Sequence, residues 1–161
     1  MKTILLAGGC FWGVEAYFQQ IDGVHSTEVG YADGPFPTPS YEQVCAASGH
    51  VEAVKLTVDE SVLDFETLLD HFFNIVDPTA VNRQGNDIGA QYRTGFYNLD
   101  AEDEATLKAY IALKQSEYEK PIAIEIKDGV RYDPAESYHQ NYLQKNPNGY
   151  CHINLASYKD V

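Results

Sequence analysis

The sequence predicts a mixed α/β fold of the α+β kind. Strand-like and helix-like segments follow one another as strand, helix, strand, strand, helix, strand, with a further helix and strand after them. The chain has 161 residues and no internal repeat or linker, which suits one well-packed domain. This order matches a ferredoxin-like split βαβ two-layer sandwich with irregular N- and C-terminal extensions. We therefore expect a single domain over residues 1–161, with 144–161 as an irregular tail.

The first half of the chain begins with a short apolar run, which predicts a strand, and continues with apolar residues at helical spacing up to Gly23. Two more strands follow. The next helix has a wide apolar stripe behind an N-cap at Asp64. The predicted elements are strand 2–7, helix 11–20, strand 24–31, strand 51–59 and helix 65–76.

In the second half, Asp100 is the expected N-cap of a long helix and Pro121 its stop. The predicted elements are strand 93–98, helix 102–119, strand 122–127 and a short helix at 135–143. Three segments have no regular pattern: 32–50, 77–92 and 144–161. Long loops in a compact domain are usually functional or disordered.

Charge and cysteine content exclude several classes of protein. The net charge of −13 argues against a nucleic-acid partner, because phosphate binding needs a basic surface. No apolar run is long enough for a membrane span or a signal peptide, which favours a cytoplasmic location. Cys10, Cys45 and Cys151 are too few and too scattered for a disulfide scaffold or a structural zinc site. One or two working thiols in a reducing compartment fit this pattern.

The most informative motif is Gly-Gly-Cys-Phe-Trp-Gly at 8–13. Cys10 is expected where a strand turns into a helix, and the free amides and dipole of a helix N-terminus favour a thiolate. The glycines leave room for a substrate to approach the sulfur, and Phe11 and Trp12 add an apolar wall. The motif therefore predicts thiol chemistry on a substrate with a small hydrophobic group.

Strand 51–59 places one carboxyl group on the predicted core side. Side chains alternate along a strand, so Glu52 shares a face with Val54, Leu56 and Val58. Burial raises the pKa of a carboxyl group, so that Glu52 would keep its proton near neutral pH and suit a general acid. The alternative is an edge glutamate that turns back to water or forms a salt bridge.

Tyrosines and one aspartate in the loops are further candidates. Tyr41 and Tyr92 could converge with Glu52, hydrogen-bond a substrate oxygen and pass it a proton. Each tyrosine alone is typical of an ordinary packing residue. Asp87, in the polar loop 84–91, either caps a turn or lines the pocket.

The remaining cysteines have different expected roles. Cys151 follows the turn-rich segment 145–150; on a mobile tail it could form a disulfide with an active-site sulfur, or it could be an exposed bystander. Cys45, between Val44 and Ala46, is expected to be a small core residue.

The five histidines do not form a metal-ligand cluster. His50 shares a strand face with Glu52 but has no third ligand, and His139 and His152 are expected to be polar packing or surface residues. We therefore expect no metal and no other cofactor.

Together these motifs resemble the A-type peptide methionine sulfoxide reductases over nearly the whole chain. The matching segments are GCFWG at 9–13, GY at 30–31, PSYEQVC at 39–45, GHVEAV at 49–54, GNDIGAQYR at 85–93, YHQ at 138–140 and KNPNGYC at 145–151. The cysteine–aromatic signature combined with GNDIGAQYR is highly specific, whereas either alone would be weaker.

The resemblance implies an enzyme that reduces the S epimer of methionine sulfoxide, free or in proteins. It implies that Cys10 is the nucleophile and that Glu52, Tyr41 and Tyr92 bind and protonate the sulfoxide oxygen. Cys151 stands where the family keeps its resolving cysteine, with thioredoxin as the expected reductant.

By the same resemblance, Phe11 and Trp12 hold the substrate methyl group, Asp87 shapes the site and Tyr150 borders it. A monomer is expected. Two alternatives of other classes are a thiol peroxidase, which would not need the Phe11–Trp12 pocket, and a non-catalytic redox-sensing module.

Overall fold

The computed structural model describes residues 1–161 and contains eight strands and five α-helices. The strands are β1 (Lys2–Gly8), β2 (Val24–Ala32), β3 (Val51–Val58), β4 (Arg83–Gln84), β5 (Asp87–Ile88), β6 (Thr94–Tyr97), β7 (Glu125–Lys127) and β8 (Tyr132–Pro134). The helices are α1 (Phe11–Phe18), α2 (Tyr41–Cys45), α3 (Phe65–Ile75), α4 (Ala101–Lys114) and α5 (Tyr142–Lys145). Four 3₁₀ turns lie at Ala90–Tyr92, Gln115–Glu117, Ser137–His139 and Leu155–Asp160.

Six strands form one mixed sheet in the order β7-β6-β1-β3-β2-β8, and β4 pairs with β5 in a separate hairpin. Neighbouring strands of the sheet are antiparallel except β6 and β7, which are parallel. β3 lies between β1 and β2, so an antiparallel strand separates the two strands that α1 connects. The predicted mixed α/β fold is confirmed.

The hydrophobic core lies mainly on the face of the sheet that α1 and α3 cover. Leu6 and Val54 from the sheet pack in one buried cluster with Phe18 of α1 and Phe72 of α3. A smaller cluster, which includes Ala53, lies on the opposite face. Burying one face of the sheet under amphipathic helices supplies most of the hydrophobic stabilisation.

The helix caps follow the sequence closely. Asp64 accepts a hydrogen bond from the backbone N–H of Thr67 at 2.8 Å, and Asp100 accepts one from that of Asp103 at 2.8 Å. Both carboxylates satisfy amides that would otherwise have no partner in the first turn.

The structure corrects several predicted boundaries after residue 114. The third long helix gives way to a 3₁₀ turn at Gln115–Glu117, and the strand predicted at 122–127 is only β7. The helix predicted at 135–143 is wrong: Asn141 has a φ of +55°, which separates a 3₁₀ turn from α5. The three segments predicted as irregular contain α2, the β4–β5 hairpin and the last 3₁₀ turn. None of the helices combines the length and apolarity needed to cross a bilayer.

Candidate active site

Cys10 lies in the turn between β1 and α1, as the sequence predicts. It immediately precedes Phe11, the first helical residue, and is only 6 % exposed. Gly9 permits this turn because its φ is +93°, and a Cβ atom there would lie 2.8 Å from Cβ of Gln84. The Cys10 sulfur is therefore at a helix N-terminus but sheltered from solvent.

The resting Cys10 is a thiol, and the prediction of a thiolate is wrong. Burial, and then the charge of Glu52, raise the pKa of the thiol, while the backbone amides of Trp12 and Gly13 lower it by less. A helix N-terminus stabilises an anion by up to about 2 kcal/mol. Burial can shift a pKa by up to about 5 units, which corresponds to roughly 7 kcal/mol. Desolvation therefore outweighs the helix dipole.

Glu52 lies on the core side of β3 with Val54 and is 1 % exposed. The register between β1 and β3 pairs Leu6 with Val54 and so brings the start of β3 to the end of β1. Oε1 of Glu52 accepts a hydrogen bond from the backbone N–H of Phe11 at 3.1 Å. Burial raises the pKa of Glu52 to about 8, against the lowering effect of this hydrogen bond. A carboxyl group with this raised pKa is mostly protonated at pH 7, so burial has the effect on Glu52 that the strand pattern predicts.

Two tyrosines from separate segments of the chain lie close enough to Glu52 for its charge to act on them. Tyr41 begins α2, where a capping box between Ser40 and Gln43 fixes the start of the helix. Tyr92 ends the 3₁₀ turn that precedes β6. Burial, and then the Glu52 charge, raise the pKa of both phenols, so both remain protonated hydrogen-bond donors.

An aromatic wall of Phe11 and Trp12 follows the cysteine. The indole Nε1 of Trp12 donates a hydrogen bond to Nδ1 of His139 at 2.9 Å, and the indole stacks on Tyr142 with ring centroids 3.8 Å apart. Phe11 is 1 % exposed and packs against His139 at a centroid distance of 5.2 Å. Phe11 therefore supports the wall from the core, and half-buried Trp12 provides the surface that a substrate can touch.

His139 has a larger part in this arrangement than its sequence context indicates. It is fully buried, as a packing residue, and its ring lies 4.4 Å from Tyr41 and 5.7 Å from Trp12 between centroids. Burial lowers the pKa of His139, so a neutral Nδ1 accepts the Trp12 hydrogen bond. The only sign of this role in the sequence is the motif match at 138–140.

Asp87 contacts the C-terminal tail, and the alternative that it caps a turn is wrong. Its Oδ2 accepts a hydrogen bond from the hydroxyl of Tyr150 at 3.1 Å and lies 3.6 Å from Nδ1 of His152. Its charge is among the smaller causes that raise the pKa values of Cys10 and Glu52. Asp87 therefore lies close to the site, and Tyr150, which is 46 % exposed, borders it.

Cys151 is packed beside α1 in the resting protein. Its Sγ donates a hydrogen bond to the carbonyl of Ile153 at 3.3 Å, and a Cβ atom on Gly13 would lie 3.0 Å from that sulfur. Gly13 is about one helical turn from Cys10. Although the tail is largely irregular, as expected, it is packed here, since Ile153 is 9 % exposed and belongs to the main core. All three cysteines are free.

Cys45 is exposed, and the prediction that it is a small core residue is wrong. The helix α2 has only five residues, and Val44 occupies its single buried position. The next residue along the helix therefore points away from the core.

The histidine near Glu52 has a structural explanation. The ring nitrogens of His50 are hydrogen-bonded to Oγ of Ser48 and to the carbonyl of Phe36, each at 2.8 Å. No three His, Cys, Asp or Glu side chains are grouped as ligands for a metal ion.

Comparisons with known proteins agree with the motifs. The family model for peptide methionine sulfoxide reductase matches residues 2–161. The peptide methionine sulfoxide reductase MsrA of Alkaliphilus metalliredigens is 53 % identical over 156 residues, which cover 96 % of this chain and 99 % of that protein.

Two solved structures share the fold. Reduced Mxr1 from Saccharomyces cerevisiae matches with a TM-score of 0.86 and 35 % identity, covering 96 % of this chain and 90 % of that one. Methionine sulfoxide reductase A of Corynebacterium diphtheriae matches with a TM-score of 0.82 and 33 % identity, covering 94 % of this chain and 77 % of that one. Site geometry, motifs and relatives agree: the chain belongs to the peptide methionine sulfoxide reductase family.

Proposed function

We propose that this chain reduces methionine sulfoxide to methionine, in proteins, in peptides or as the free amino acid, and that the S epimer is its substrate. One observation carries the proposal: a member of this family holds a sheltered thiol beside a carboxylic acid that keeps its proton at neutral pH. The choice of epimer rests on the family resemblance.

In the first step the sulfur of Cys10 attacks the sulfoxide sulfur, and Glu52 donates a proton to the sulfoxide oxygen. The phenols of Tyr41 and Tyr92 donate hydrogen bonds to the same oxygen. The protonated oxygen then moves as a hydroxyl group from the substrate sulfur to the Cys10 sulfur: the transient sulfur–sulfur bond and the sulfur–oxygen bond of the substrate break, and a sulfur–oxygen bond to Cys10 forms. Cys10 becomes a sulfenic acid, and the substrate sulfur gains the two electrons that Cys10 loses. The proton lost by the Cys10 thiol restores Glu52, which balances the protons.

The aromatic wall and the nearby carboxylate position the substrate. The exposed part of Trp12 receives the methyl group of the sulfoxide, and Phe11 supports that surface from the core. Asp87 and Tyr150, which are hydrogen-bonded to each other at 3.1 Å, border the pocket and offer polar atoms to the rest of the substrate.

In the second step the Cys151 thiol attacks the Cys10 sulfenic acid. A sulfur–sulfur bond forms, the sulfur–oxygen bond of the sulfenic acid breaks, and the hydroxyl group leaves with the thiol proton as water. An external dithiol, for which we propose thioredoxin, then reduces the disulfide by exchange. The Cys10 and Cys151 thiols supply both electrons for the reduction, and the external dithiol returns them. The proposed cycle therefore needs no metal and no other cofactor.

The cellular setting that we propose follows from chemistry and charge. A reducing cytoplasm keeps thiols free, as the proposed cycle requires of Cys10 and Cys151. The net charge of −13 disfavours nucleic acid and anionic membrane surfaces as partners. We propose that residues 1–161 act as one catalytic domain, since the helices and strands around the site share one main core, and that the protein acts as a monomer.

We also infer that the architecture is the ferredoxin-like split βαβ sandwich. The four strands that α1 and α3 connect have the order β6-β1-β3-β2 with antiparallel neighbours. The edge strands β7 and β8, the β4–β5 hairpin and the tail would then be additions to that unit.

Separate single-epimer substrates test the proposed activity. The reduced protein, without added reductant, is mixed with the S or the R sulfoxide of methionine, and methionine and titratable thiols are followed. We expect about one methionine per chain from the S epimer and the loss of two thiols. Methionine from neither epimer, with thiols lost to hydrogen peroxide instead, would refute the proposal in favour of a thiol peroxidase.

A further inference from the structure

His152 has polar atoms that nothing in the proposed reaction uses. Its side chain is only 10 % exposed, and neither ring nitrogen has a hydrogen-bond partner within the protein. Buried polar groups are nearly always paired, so this imidazole needs an explanation. Burial lowers the pKa of His152, which makes the neutral ring the resting form.

The ring lies between the Cys10 turn and the β4–β5 hairpin. A Cβ atom on Gly9, the residue before Cys10, would lie 3.3 Å from Cε1 of His152, and one on Gly85 would lie 3.7 Å from Cβ of His152. Nδ1 of His152 is 3.6 Å from Oδ2 of Asp87. A shift of a few tenths of an ångström would make this contact a hydrogen bond.

Tyr150 and His152, which flank Cys151 in the sequence, therefore both lie against the same carboxylate oxygen of Asp87. Oδ2 of Asp87 accepts the Tyr150 hydroxyl and faces the His152 ring, while the sulfur of Cys151 lies against Gly13. The segment 150–153 thus lies against the turn that carries Cys10, and its polar side chains face Asp87 in the β4–β5 hairpin.

We propose that His152, through Asp87, is a positioning residue that keeps Cys151 within reach of Cys10 for the disulfide-forming step, and that it has no part in sulfoxide reduction. The inference rests on the proposed function. To attack Cys10, the Cys151 sulfur must leave the Ile153 carbonyl and move along the first turn of α1. Because His152 is the next residue, its contact with Asp87 restricts how far the Cys151 sulfur can move. This raises the effective concentration of the Cys151 thiol at Cys10.

The test separates the two steps in the reduced full chain. The protein is mixed with one equivalent of methionine S-sulfoxide without external reductant and quenched at intervals. Methionine is measured by chromatography, and the Cys10–Cys151 disulfide by non-reducing peptide mass mapping. The paired variants His152→Leu and His152→Asn have side chains with the same number of heavy atoms and the same branching, but only asparagine keeps a donor for Asp87. The control is His25→Ala, at an exposed position of β2.

We expect all variants to release methionine at the wild-type rate, which also shows that they fold. His152→Leu should form the disulfide roughly tenfold or more slowly, because small misplacements of reacting groups cost one to two orders of magnitude. His152→Asn should stay within about threefold of wild type. If His152→Leu fails to fold, His152→Ala, which adds no new atoms, is judged by the same criteria.

Three results would overturn the inference: disulfide formation at the wild-type rate in His152→Leu, equal slowing in the leucine and asparagine variants, or equal slowing of both steps. The first result would show that disulfide formation does not need His152. The second would show that His152 acts only by packing, and the third that it also affects sulfoxide reduction. Wild-type protein that releases no methionine would instead refute the proposed function, and this inference with it.

Discussion

Replacing Glu52 by glutamine should slow sulfoxide reduction by about 10²–10⁴-fold, the usual contribution of a general acid. The amide keeps the size of the side chain and an oxygen that can accept the Phe11 N–H bond, so the fold should be retained. With a pKa of about 8, Glu52 holds its proton in most wild-type molecules at pH 7. Glu52→Gln therefore removes a proton donor that most molecules carry at pH 7, and the loss of rate should approach the full contribution of a general acid.

The sign of the pH dependence follows from the same group. Glu52 is protonated and active below about pH 8 and ionised above it, so the wild-type rate should fall tenfold per pH unit beyond that point. Burial also raises the pKa of Cys10 above its ordinary value, so the thiol ionises at a higher pH than Glu52 does. The glutamine variant should lack the fall.

The assay is a single turnover without reductant, quenched at intervals and read as methionine. Glu15→Gln is a matched control, since Glu15 is also 1 % exposed but lies away from the proposed chemistry, bonded to Thr27 and Asn141. A Glu52→Gln rate within threefold of wild type, or an equal loss in the control, would refute the assignment of Glu52 as the acid.

Three further variants test other parts of the site. Cys151→Ser should release one methionine per chain and then stall with thioredoxin; sustained turnover would show that Cys151 is a bystander. His139→Leu should raise KM about two- to tenfold and shift the fluorescence of Trp12, the only tryptophan, because its indole N–H loses a partner; an unchanged spectrum and KM would contradict this. Gly13→Ala should displace Cys151, since the new Cβ would lie 3.0 Å from its sulfur. An alkylating reagent should then label the Cys151 thiol faster, even though alanine stabilises a helix by about 0.5–1 kcal/mol relative to glycine. Unchanged labelling kinetics would contradict the packing of Cys151 against α1.

Alternation along a strand was enough to place Glu52 correctly, because a strand has only two faces and Val54 marks the buried one. Local signals also located the Cys10 turn and the caps at Asp64 and Asp100. These features depend on residues close together in sequence, which is why the sequence alone revealed them.

The features that the sequence did not reveal depend on distant contacts. Whether Cys10 is a thiol or a thiolate is decided by its burial and by Glu52, 42 residues away. The contacts of Asp87 come from the tail, more than 60 residues further along the chain. The five residues of α2 are too few to show a helical periodicity, so the sequence did not indicate that Cys45 is exposed. The strand β8 was not predicted, because it has only three residues and ends in proline, which is unusual in a strand.

Locating the oxygen atom after the first step tests the proposed chemistry of Cys10 most directly. Cys151→Ser protein is given one equivalent of methionine S-sulfoxide, and its sulfenic acid is trapped and mapped by peptide mass spectrometry. We expect one trapped sulfenic acid per methionine released, all of it on Cys10. Methionine released with Cys10 unmodified, or with the oxygen on Cys45, would contradict the proposed role of Cys10 as the nucleophile.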